Sequence, residues 1–160
     1  MELTRVRVRR NSDPVVAIEE AVVTLVREFS LASTQERLIG AAGVPVERAG
    51  FGVLRCVSER GELRVSELAQ ILGVDTSTMS RHVKTLEGGG FVVRAEDPLD
   101  GRALRVGLTA AGVEVLRLLG EARHRYFTEL LAGWTEGERE ALAPLLERLA
   151  NEVLERGGRT

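Results

Sequence analysis

Residues 63–109 read LRVSELAQILGVDTSTMSRHVKTLEGGGFVVRAEDPLDGRALRVGLT, and the fold is decided here. Leu63 to Leu72 is predicted as a helix, Gly73-Val74-Asp75 as a tight turn, and Thr76 to about Gly89 as a second helix. Phe91 to Glu96 and Ala103 to Leu108 are rich in β-branched and apolar residues around Asp97-Pro98-Leu99-Asp100-Gly101, a strong turn sequence, so they predict a hairpin. Helix, three-residue glycine turn, helix and hairpin is the order of a winged helix-turn-helix.

The second helix carries the functional argument. Advancing about 100° per residue from Met79 puts Val83 near ~40° and Leu86 near ~340°, a core-facing stripe. Lys84, Ser77, Gly88 and Arg81 fall opposite, between about 140° and 200°, with Thr78 and Ser80 at the margins. Short side chains let a helix approach base edges, arginine pairs bidentately with guanine, and hydroxyls suit phosphate or base contacts. The hairpin adds Arg94 on one strand and Arg102 and Arg105 around the other, the cations a wing lays along the backbone or in a narrow minor groove.

Outward from this centre, Asp13-Pro14 marks a helix start, followed by Val15, Val16, Ile18, Val22, Val23, Leu25, Val26 and Phe29 at helical spacing. Ser33 with Glu36 is a capping-box pattern for a second helix closed by Gly40 and Gly43, and a third helix after Pro45 runs to about Arg60. Thr109 caps a long sixth helix, and Thr135 with Glu138 opens a last one through Leu142, Leu145, Leu149 and Val153. The terminal helices are too amphipathic to be satisfied by the compact centre alone, which predicts a homodimer built from both ends. The fold class is therefore mainly α with a small β-hairpin wing. Residues 34–109 form the DNA-binding domain, 13–33 and 110–156 the helical dimerisation region, and 1–12 a basic arm carrying Arg5, Arg7, Arg9 and Arg10.

Composition agrees when read locally. The net charge of −2 over 160 residues argues against nucleic acid at face value. Between Thr76 and Ala95, however, the only acid is Glu87, against Arg81, Lys84 and Arg94. One cysteine, Cys56, excludes an intramolecular disulfide and fits a reducing, cytoplasmic setting, and no apolar run predicts a membrane span. Cys56 lies between apolar residues of the third helix and is read as a buried thiol rather than a redox sensor. With His82 and His124 it makes too few ligands, at no metal-like spacing, for zinc. The glycine triplet Gly88-Gly89-Gly90 follows a helix and precedes a strand, the reverse of a phosphate-binding loop, and is expected to let the helix end fray. No nucleophile stands beside a base, so no enzyme, cofactor or metal is expected.

The stretch resembles the MarR family of bacterial transcriptional regulators. The resemblance rests on Glu67-Leu68-Ala69, Leu72-Gly73-Val74-Asp75, Ser77-Thr78-Met79-Ser80-Arg81, Leu86-Glu87, Gly90-Phe91-Val92-Val93-Arg94, Asp100-Gly101-Arg102, Leu108-Thr109 and Gly112. It implies a repressor binding a pseudo-palindromic operator as a dimer and released by a small, often aromatic or anionic, effector. The effector site is unknown; Arg27 and Arg37 near helix junctions are candidates for an anionic group, with a surface role the plainer reading of each. The resemblance also implies that Arg102 enters the minor groove with Asp100 orienting it. The DNA-facing set is thus Ser77, Thr78, Ser80, Arg81, Lys84, Arg94, Asp100 and Arg102. Arg64 departs from the family, standing where relatives carry a capping threonine. The alternatives are redox sensing through Cys56 and a winged-helix protein-interaction module.

Overall fold

The computed structural model describes residues 13–97 and 100–157, the side chains of 100–103 excepted. The chain divides into two compact units, one running to Ala122 and the other from Arg123.

The first unit opens with α1 (Pro14–Ser30), where Asp13 Oδ1 accepts the Val15 N–H at 2.9 Å and proline occupies the first turn. A single residue, Leu31, separates it from α2 (Ala32–Ala42), and the Gln35 side chain donates to the Phe29 carbonyl at 2.9 Å across the corner. This corner corrects the sequence reading. Because α2 begins directly after Leu31, Ser33 falls inside the first turn and forms no cap with Glu36, and Gly40 lies within the helix. Gly43, left-handed at φ 64°, closes it.

The core gathers around α3 (Arg48–Arg60), whose Val53 and Leu54 are fully buried. A Cβ on Gly50 would sit 2.9 Å from Leu86 Cδ2, so the α3 backbone approaches the neighbouring helix closely. Next come β1 (Leu63–Arg64), α4 (Val65–Leu72), α5 (Thr76–Gly88), β2 (Val92–Asp97) and β3 (Asp100–Leu108). The strands form an antiparallel sheet in the order β1-β3-β2. Leu63 and Arg64, expected in a helix, instead pair with Val106 and Arg105 as the third strand. A two-residue strand specified by partners as distant in sequence as Arg105 and Val106 leaves no local periodicity to read.

Met79, Val83 and Leu86 of α5 are buried, as their angles require, and meet Leu54, Leu68 and Val106 in one core. Thr109 opens α6 (Ala110–Leu130), its Oγ1 accepting the Gly112 N–H at 3.1 Å. Val115, Leu119 and Ala122 of α6 are buried.

In the second unit, Tyr126 and Phe127 meet edge to face with centroids 5.8 Å apart. The helix α7 (Glu136–Gly157) starts at the expected capping box, with the Thr135 N–H donating to Glu138 Oε2 at 2.7 Å. Pro144 lies inside α7 and offers no amide to its ladder. Neither α1 nor α7 buries a residue: Val15, Val23 and Val26 of α1 are at least 60% exposed, as are Val153 and Leu154 of α7. Among the described residues no helix is long and apolar enough to cross a membrane.

Candidate nucleic-acid interface

The turn between α4 and α5 is set by Gly73, left-handed at φ 66°, and by the Val74 N–H donating to the Ala69 carbonyl at 3.0 Å. Asp75 then caps α5. One carboxylate collects three donors: the Thr78 amide at 2.8 Å and the Ser77 hydroxyl at 2.5 Å on Oδ1, and the Thr78 hydroxyl at 2.7 Å on Oδ2. The Ser77 hydroxyl foremost, then the Thr78 hydroxyl and amide, hold the Asp75 carboxyl far below the usual carboxylate range. Thr78 Oγ1 in turn accepts from Arg81 Nη2 at 3.0 Å. A chain of contacts therefore runs from Asp75 through Thr78 to Arg81.

Ser77, Ser80, Arg81 and Lys84 are exposed on this face; Thr78 is half-buried, consistent with its place in that chain. His82 is half-buried on the flank.

The far end of α5 is closed more firmly than a glycine triplet suggests. The Phe91 N–H donates to the Leu86 carbonyl and the Gly90 N–H to the Glu87 carbonyl, each at 2.9 Å, with Gly90 left-handed at φ 74°. The Phe91 ring lies so close to Gly89 that a Cβ there would come within 2.6 Å of it. Thr109 ties the same segment to α6: its amide donates to the Phe91 carbonyl at 3.1 Å and its hydroxyl to the Gly90 carbonyl at 2.6 Å. A Cβ on Gly112 would stand 2.1 Å from that Phe91 oxygen, so only glycine fits the crossing.

Three ion pairs hold the wing, one to α5 and two across the sheet. Arg94 Nη2 lies 3.1 Å from Glu87 Oε2, and the arginine side chain is 23% exposed. Its guanidinium is thus applied to α5 as a strut. On the sheet, the Asp97 carboxylate is fully buried and accepts from Arg64 Nε at 2.7 Å and Arg105 Nε at 2.9 Å, while Arg105 Nη1 reaches the Glu62 carbonyl at 3.2 Å. Asp97, expected as part of the turn, is the last residue of β2, beside an irregularity of register after Glu96. Arg105, which the sequence places among the wing's cations, belongs to this latch. Arg64 meets its capping problem through its backbone: its N–H donates to Glu67 Oε2 at 2.7 Å, which frees the side chain for Asp97.

Asp100 and Arg102 stand on β3, but their side chains lie outside the described residues, as does the arm with Arg5, Arg7, Arg9 and Arg10. Sequence reasoning missed Asp75, Glu87 and Asp97. An aspartate just before a helical stretch is an N-cap signal that was available for Asp75; the other two depend on partners brought by the fold. Cys56 is buried and burial pushes its thiol up, the opposite of an activated thiolate. Among the described residues no three His, Cys, Asp or Glu side chains gather as metal ligands.

Comparison with known proteins gives one consistent picture. Residues 46–104 match the MarR family. The chain is 31% identical over 140 residues to the uncharacterised HTH-type transcriptional regulator YxaD of Bacillus subtilis (strain 168), covering 88% of this chain and 95% of that one. A solved transcriptional regulator of Thermotoga maritima superposes with a TM-score of 0.71 at 25% identity, covering 93% of this chain and 99% of that one. A MarR family protein from Bacillus stearothermophilus shares the fold, with a TM-score of 0.73 at 21% identity and coverage of 91% and 99%.

Proposed function

The chain belongs to the MarR family of DNA-binding transcriptional regulators, and from that premise we propose that it acts as a homodimeric repressor of a pseudo-palindromic operator, released by a small aromatic or anionic effector. The observation that carries this reading is the outward face of α5. Ser77, Ser80, Arg81 and Lys84 are exposed there around a buried stripe of Met79, Val83 and Leu86, which suits one helix in one major groove. Thr78 serves that face from within by holding Arg81. Arg102 enters the adjacent minor groove with Asp100 orienting it, and Arg94 holds the wing against α5 through Glu87.

Dimerisation supplies the spacing. The uncovered apolar side chains of α1, and those of α7, are surfaces that a second copy buries. The dimer bound to its operator then blocks transcription by occupancy in the cytoplasm, and an effector with unequal affinity for two arrangements of the dimer moves the paired helices off their half-sites. Selection of bound sequences from random duplex DNA tests this. The expected motif is two-fold symmetric, with half-site centres about one helical turn apart. A motif without symmetry contradicts the dimeric reading.

A further inference from the structure

We infer that Asp75 sets the hydrogen-bonding polarity of α5: by taking the hydroxyl protons of Ser77 and Thr78, it leaves Ser77 facing the groove as an acceptor, selective for a base with an exocyclic amino group. This deepens, and rests on, the reading of α5 as the major-groove helix. An ionised carboxylate only accepts hydrogen bonds, and a hydroxyl has one proton to give. In the contacts of 2.5 Å from Ser77 Oγ to Asp75 Oδ1 and 2.7 Å from Thr78 Oγ1 to Asp75 Oδ2, that proton lies on the hydroxyl and points at the acid. Only lone pairs remain.

Those of Thr78 are engaged by Arg81 Nη2 at 3.0 Å. Ser77 itself is exposed. Phosphate oxygens are acceptors and offer Ser77 nothing; the Asp75 charge beside it repels them further. In the major groove the donors are the cytosine N4 and adenine N6 amino groups, whereas guanine and thymine present acceptors there. Ser77 therefore selects cytosine or adenine at one position of each half-site. Arg81 keeps the other N–H groups of its guanidinium for guanine, aimed by Thr78. Asp75 acts without touching DNA and is a positioning residue.

The test is sequence selection from random duplex DNA by the full chain and by Ser77→Ala and Asp75→Gly. Glycine is tolerated at a helix N-cap at little cost, so α5 is retained, which circular dichroism checks. It offers the hydroxyls no acceptor, however, and leaves the Ser77 proton free to turn outward. In the unaltered chain one half-site position is expected to favour cytosine or adenine over guanine and thymine by about fivefold or more. Ser77→Ala flattens that position, and Asp75→Gly admits guanine or thymine there while tightening binding to random DNA at low salt. The inference is overturned if that position prefers guanine or thymine, if Ser77→Ala alters no position, or if Asp75→Gly selects as the unaltered chain does. An unaltered chain that enriches no motif overturns the major-groove reading itself.

Discussion

Arg64 Nε lies 2.7 Å from Asp97 Oδ2, and Arg105 Nε approaches the same oxygen at 2.9 Å, so one buried carboxylate joins all three strands of the wing. The residue before α4 and the last residue of β2 are thereby locked together. The side on which the wing leaves the helices is set by this contact and by Arg94 on Glu87.

Asp97→Ala is expected to destabilise the protein by about 3 kcal/mol in urea denaturation, the low end for breaking a buried ion pair. The arginines left behind, 34% and 30% exposed, recover some hydration. Asp97→Asn keeps one acceptor oxygen and should lose less. Equal stability of all three proteins contradicts the latch.

Gly112→Ala and Gly137→Ala should move stability in opposite directions. The first places a methyl 2.1 Å from a backbone carbonyl that cannot swing aside, an overpacking cost of about 1 to 3 kcal/mol. The second adds a methyl in open space near the start of α7 and should stabilise by about 0.5 to 1 kcal/mol, because alanine loses less entropy in a helix. Thermal melts of the two variants check the pair.

The thiol of Cys56 should react slowly with a disulfide reagent at neutral pH in the native protein and rapidly in denaturant. Burial raises its pKa above the ordinary 9.0, so the folded state binds the thiol proton more tightly than the unfolded one. The associated stability is present below that value and is lost as pH rises through the folded pKa. Cys56→Ser should respond to peroxide as the unaltered chain does; loss of a peroxide response in that variant points to redox sensing instead.

Much of the centre was legible before any coordinates. The burial of Met79, Val83 and Leu86 follows from helical angle alone, and the caps at Asp13, Thr109 and Thr135 are local side-chain chemistry. What escaped was non-local. The strand at Leu63–Arg64 exists because β3 pairs with it, and Asp97 reads as a turn residue until two arginines distant in sequence converge on it. Ser33 misled because a capping pattern works only where the chain enters the helix, and the short corner at Leu31 moved that entry.

Light scattering should give twice the chain mass of 17.5 kDa at micromolar concentration. Paired substitutions in the uncovered apolar faces, Val23→Glu with Val26→Glu in α1 or Val153→Glu with Leu154→Glu in α7, should lower that mass and weaken DNA binding together. Glutamate is a good helix former, so the helices persist. Unchanged mass in both double variants contradicts dimerisation through these faces.

Methylation interference at guanine N7 reports directly on whether α5 reads the major groove through Arg81. The expected result is that methylating one guanine in each half-site blocks the unaltered chain, while Arg81→Ala, weakened by about 1 to 3 kcal/mol, has become indifferent to that same modification. Contradiction would be a chain that binds equally well whichever guanine is methylated, or an Arg81→Ala variant blocked at the same guanines as the unaltered protein.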